Sequence, residues 1–143
     1  MSQSPKRLDA LLDLRARAVD GAELRATQAI RVALSTAADL REAEARYESA
    51  ITEAESTVEE SAWDAGYRRA RLDALRIAVA KRATEAHEAA SAQLRAQNAL
   101  MEAKRERKKL ELWCDRKSAE VDAEAAKTER RQADEHALQG MRR

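Results

Sequence analysis

Chemistry at a protein site needs titratable or nucleophilic side chains gathered in one place, and this sequence offers few. His87 and His136 are the only histidines, and Cys114 is the only cysteine. None of the three has a partner at metal-ligand spacing. The 26 Asp and Glu residues are plentiful but dispersed. Gly-rich phosphate loops and nucleophile elbows are absent from the sequence. This reading assigns no catalytic residue, no metal ligand and no cofactor, and expects a protein that is not an enzyme. Cys114 cannot form an intramolecular disulfide, which fits a reducing compartment, and it reads as a small apolar residue in a helix seam.

Two features suit contact better than catalysis. Trp63 and Tyr67 stand four residues apart near the middle of the chain. They either cap a hydrophobic seam or form an exposed docking tip, because aromatic residues are enriched at binding hot spots. Lys104 to Lys109 is a basic run interrupted only by Glu106. It either meets an acidic partner or nucleic acid, or is a solvated helix face. Residues 102–143 hold twelve basic and ten acidic side chains, so no basic stripe of the kind nucleic acid requires persists. Net charge is +1, which favours neither nucleic acid nor an anionic membrane. No apolar run approaches the roughly 18 residues of a membrane span, and no signal peptide is evident.

The elements that position these residues are helices. Alanine supplies 33 residues, whereas Leu, Ile, Val and Met together supply 25, and Phe is absent. So few large side chains cannot fill a globular interior, but they can line a seam between two helices. Pro5 is the only proline, with Ser4 placed to cap a helix that starts at Pro5. From there an apolar series runs through Leu8, Leu12, Arg15, Val19 and Ala22. After one extra four-residue step it continues through Ala26, Ile30, Ala33, Ala37, Leu40, Glu44, Tyr47, Ile51, Ala54, Val58 and Ser61. That step is a stutter in the heptad pattern. A second series begins at Leu72, Leu75, Val79, Arg82, Ala86, Ala89, Gln93 and Ala96. It goes on through Leu100, Ala103, Arg107, Leu110, Cys114, Lys117 and Val121, after which only Leu138 is apolar.

Gly66 lies between the two series and can take the left-handed conformation that ends a helix. The rival is one unbroken helix. Charge separates the two. Residues 39–64 carry nine acidic and two basic side chains, and residues 65–82 carry six basic and one acidic. A reversal lays these blocks side by side; a parallel dimer sets each against its own copy. The expected fold is all-α, a long antiparallel two-helix coiled-coil hairpin over residues 1–143. Helix one covers about 6–62, the turn 63–67, and helix two about 68–138 with its C-terminal end overhanging. Such helices are on the order of 85–105 Å long at about 1.5 Å per residue.

Two stretches now carry a family resemblance. Lys6-Arg7-Leu8-Asp9-Ala10-Leu11-Leu12-Asp13-Leu14-Arg15 is similar to the basic and leucine-rich opening of the central stalk proteins of type III secretion ATPases, the FliJ, YscO and SctO family. Glu106-Arg107-Lys108-Lys109-Leu110-Glu111-Leu112, with Arg116, Glu124, Glu129, Asp134 and Glu135, resembles the charged C-terminal helix of that family. Flagellar members often have an early Phe, and its absence here leans toward the injectisome branch.

The resemblance implies a cytoplasmic stalk at the inner-membrane base of a secretion apparatus. It would insert into a hexameric secretion ATPase, reach an export gate protein, and in some members handle secretion chaperones. Carried onto this sequence, the ATPase-ring contacts are Leu8, Leu11, Leu12, Arg15, Arg17, Arg116, Arg130, Arg131, Glu135 and Leu138. The gate-side tip is Trp63, Tyr67, Arg68, Arg69 and Leu72. Nucleic acid and direct membrane insertion are not expected, and self-association stays open. The alternative is a structural coiled-coil adaptor or dimeric scaffold unrelated to an ATPase. In a parallel dimer two Cys114 side chains would meet across the seam and oxidise readily.

Overall fold

The computed structural model describes residues 5–57 and 59–142. Its elements are two α-helices, α1 (Pro5–Glu55, 51 residues) and α2 (Ala62–Met141, 80 residues). No strand occurs among the described residues. High-propensity Ala, Leu, Glu, Arg and Lys carry both helices, and no proline interrupts either beyond the first position of α1. The expected cap Ser4 and the expected seam residue Val58 lie outside the described residues.

The helices pack antiparallel. Glu53 of α1 pairs with Arg71 of α2 at 3.3 Å, and Asp39 reaches Arg82 at 3.9 Å. Glu60, in the connection, pairs with Arg68. All three pairs join the acidic block to the basic block. The Glu53–Arg71 and Asp39–Arg82 pairs are exposed and Glu60–Arg68 is partly buried, and the main effect of the exposed pairs is to choose partner and register.

α1 ends at Glu55 and α2 begins at Ala62, so the connection comes ahead of the expected 63–67. Gly66 does not form it. That glycine sits early in α2, and no glycine in the described chain has a positive φ. The stop and the start are both made by hydroxyls. The Ser56 and Thr57 hydroxyls each donate to the Glu53 carbonyl at 2.9 Å, occupying an end carbonyl that α1 leaves without an amide partner. Ser61 Oγ accepts the Asp64 amide at 3.1 Å and donates to the Asp64 carboxylate at 2.7 Å. Ser61 is thus the N-cap of α2, and Asp64 is its acidic third residue, whose carboxylate takes the Ser61 hydroxyl rather than the Ser61 amide of a capping box. Asp64 also places negative charge at the positive end of the helix dipole.

The seam follows the expected series closely in α2 and is rephased in α1. In α2, Leu72, Leu75, Val79, Ala86, Gln93, Ala96, Leu100, Ala103, Leu110 and Cys114 are half-buried, and Ala89 is buried. Arg82 and Arg107 fall at seam positions but stay exposed, bonded to Glu85 and Glu111 at 3.0 Å each. In α1 the inward positions from Val19 are 19, 22, 26, 29, 33, 36, 40, 43, 47, 50 and 54. Ala29, Thr36, Ala43 and Ala50 therefore take the places expected for Ile30, Ala37, Glu44 and Ile51. Glu44 and Ile30 are exposed, while Ala37 and Ile51 remain half-buried beside the seam. Two effects select this phase. It returns the Glu44 carboxylate to water, avoiding the cost of burying a charge. It also presents methyl-sized side chains to the partner helix, letting the backbones approach. The series runs on through residues 22 to 30 without the expected extra step. Farther upstream Ala16, not Arg15, points inward, again sparing a charge.

Contacts divide the chain into two compact units. One is Asp20–Met101 and contains the turn. Its buried residues are Ala22, Ala26, Ala50 and Ala89, so its core is a line of methyl groups. The other unit, Met1–Val19 with Glu102–Arg143, contains the start of α1 and the end of α2. There Val19 is 3% exposed, and Leu8 and Cys114 are the outermost half-buried positions. Beyond Cys114 every described residue of α2 is exposed, including Lys117 and Val121. The exposed stretch is thus 115–142, although the expected apolar series ran on to Val121.

Candidate interaction surfaces

At the turn, the seam-capping reading of the two aromatic residues gives way to exposure. Trp63 is 84% exposed and Tyr67 70% exposed. Standing four residues apart on α2, they share one face. Both belong to the first turns of the helix that Ser61 caps, so a regular helix rather than a loop positions them. Of the remaining tip candidates, Arg69 is exposed, Arg68 is held by Glu60, and Leu72 turns into the seam. Tyr67, Arg68 and Leu72 line an open cleft between the helices together with Ala50, Glu53 and Glu60. The cleft is lined by paired charges and is open to solvent. It offers a surface to a protein partner more readily than an enclosed site to a small molecule.

The ten candidates for ATPase contact all fall in the unit that holds the start of α1. They do not form one patch. Leu8 and Leu12 are half-buried in the seam, Leu11 is 38% exposed, and Arg15 and Arg17 are exposed, with Arg17 bonded to Asp13 at 3.0 Å. Arg116 lies just past Cys114, level with the beginning of α1. Arg130, Arg131, Glu135 and Leu138 stand on the exposed stretch of α2 after Cys114.

The basic run at 104–109 is partly neutralised on its own helix. Arg105 approaches Glu102 at 3.9 Å, Arg107 bonds Glu111 at 3.0 Å, and Lys109 bonds Glu106 at 3.2 Å. Trp113 was not singled out from sequence. It is 38% exposed, and the Lys117 ammonium lies over its ring at 5.9 Å. The i, i+4 spacing of an aromatic and a lysine was the signal that could have found it. Among the described residues no group of His, Cys, Asp and Glu is arranged to hold a metal ion. No helix among them is long and apolar enough to cross a membrane.

Two long antiparallel helices joined through a seam of small residues, with aromatic and charged side chains left on the surface, define a coiled-coil interaction protein. The family model described as Flagellar FliJ protein matches residues 4–143, and the chain belongs to that family. Membership makes it a stalk protein of flagellar or type III export, a structural family that associates in general with an export ATPase and gate. No curated protein and no solved structure matches the chain.

Proposed function

We propose that this protein is the central stalk of a flagellar-type export apparatus, working in the cytoplasm at the inner-membrane base. The observation that carries the reading is the family match across residues 4–143, on a chain folded as one antiparallel pair of helices. The flagellar name of the matching family supports this choice, and the missing early Phe leans the other way, toward an injectisome. On this reading the unit with the start of α1 enters a hexameric export ATPase. Leu8, Leu11, Leu12, Arg15, Arg17 and Arg116 make the nearer contacts there; Arg130, Arg131, Glu135 and Leu138 make the farther ones. The turn, with Trp63, Tyr67, Arg68, Arg69 and Leu72, meets the gate protein. Exported-protein chaperones dock on the exposed helix faces.

The chemistry suits a regulator rather than a catalyst. Exposed charges give contacts of modest affinity that can be made and broken as the ATPase cycles. Titrating the protein into the cognate export ATPase should raise the rate of ATP hydrolysis and give co-elution. Unchanged hydrolysis with no co-elution would overturn the assignment. Trp63→Ala combined with Tyr67→Ala should abolish gate binding and spare ATPase binding, and equal loss of both would refute a division of labour between the two units.

A further inference from the structure

We infer that one side of the unit formed by the start of α1 and the residues after Glu102 is a docking face for an acidic segment of a partner protein, with Trp113 as its anchor. The argument begins with position relative to the seam. Arg7, Leu11 and Arg15 each immediately precede an inward residue of α1, namely Leu8, Leu12 and Ala16. Lys109 and Trp113 each immediately precede an inward residue of α2, namely Leu110 and Cys114. In an antiparallel pair of right-handed helices, positions that precede the seam on both helices flank the same side. The i, i+4 spacing then stacks Arg7, Leu11 and Arg15 along α1 opposite Lys109 and Trp113 along α2. Leu8 and Cys114 close the seam together, so the two rows are level.

Charge is segregated across the two sides. The flank just described carries Arg7, Arg15, Lys109 and Arg116, and Lys117 reaches over the Trp113 ring. Its neighbouring acids are Glu106, bonded to Lys109, Glu102, near Arg105, and Glu120, bonded to Lys117 at 3.2 Å. Arg7, Arg15 and Arg116 make no ion pair among the described residues. Residues that follow the seam, on the opposite flank, are the acids Asp9, Asp13, Glu111 and Asp115 along with Arg17, Lys104 and Lys108. Over residues 6–19 and 102–117 there are eleven basic and six acidic side chains, a surplus of five in a chain whose net charge is +1.

An apolar centre with a cationic rim fixes the kind of partner. Leu11 and Trp113, both 38% exposed, offer apolar area that a partner can cover. Tryptophan and arginine are the residue types most often found at binding hot spots. The surrounding cations complement a segment that presents carboxylates around one apolar side chain. Nucleic acid is a poorer match, because the cations occupy one short face and do not continue as a stripe.

This inference deepens the stalk reading by giving the chemistry of one of its contacts, and the test keeps the two separate. In the full chain, Trp63→Phe leaves Trp113 as the only tryptophan reporter. A helical peptide of glutamates around one leucine should shift Trp113 emission, and the shift should weaken as salt is raised. Trp113→Leu and the pair Arg7→Glu with Arg15→Glu should each weaken ATPase binding at least about ten-fold, as loss of a hot spot does. The charge-matched control on the other flank, Lys104→Glu with Lys108→Glu, should change it less than about two-fold. Circular dichroism of each variant verifies that the helices remain. Equal losses on both flanks, no loss on either, or tighter binding of duplex DNA or anionic vesicles than of the peptide would overturn the face. Peptide binding without ATPase binding would refute the stalk reading and leave the face standing. Failure of the peptide to move Trp113 emission while the ATPase binds would do the reverse.

Discussion

Single residues decide more here than large clusters do, because the core is a line of small side chains. Ala50 is 3% exposed, and its methyl group faces the partner helix. Ala50→Leu inserts three carbons into the buried seam and should destabilise the fold by about 1–3 kcal/mol. Ile51→Leu, one residue farther round, should cost less than about 1.5 kcal/mol. Urea unfolding of the two variants measures the phase of α1, and a larger loss at Ile51 would restore the register expected from sequence. Gly66 offers the opposite case. Its backbone is helical, and a Cβ placed on it would meet nothing within 4 Å. Gly66→Ala should therefore stabilise the protein by about 0.5–1 kcal/mol. Were Gly66 the left-handed turn residue, the same change would destabilise it.

At the scale of elements, the ends of the helices are set by side-chain hydroxyls. A Ser-x-x-Asp pattern is legible at residues 61–64, just ahead of the lone central glycine. Glycine only permits a turn, whereas Ser61 actively satisfies an amide that would otherwise lose its partner. Ser61→Ala should cost about 1 kcal/mol in unfolding free energy. Hydrogen exchange should show the loss as faster exchange confined to the first turn of α2, at residues 62–65. Uniform acceleration along both helices would argue against a local cap. The antiparallel pairing itself rests on the two charge blocks, and Glu53–Arg71 and Asp39–Arg82 realise it. Sequence carried this well, since block charge does not depend on the rotamer of any one side chain.

For the whole molecule, stability and contact capacity lie in different residues. Every described residue after Cys114 is exposed, so the stretch buries almost no apolar surface and adds little hydrophobic stabilisation. Removing residues 119–143 should change the unfolding free energy by less than about 1 kcal/mol, while ATPase binding weakens. A large loss of stability in chemical denaturation would show that the stretch is packed after all. The sequence by itself determined that the chain is helical, that it folds back antiparallel, and which family it resembles. Composition, heptad spacing and block charge are properties of the chain summed over many residues, and they survive local error. Only the tertiary structure decided that Ala50 rather than Ile51 is buried, that the turn precedes Trp63, that Trp63 and Tyr67 face solvent, and that the seam closes at Cys114. Rotating a helix by one residue exchanges neighbouring positions at almost no cost in average hydrophobicity. The choice falls to how closely two alanine-lined backbones can approach while Glu44 and Arg15 stay in water.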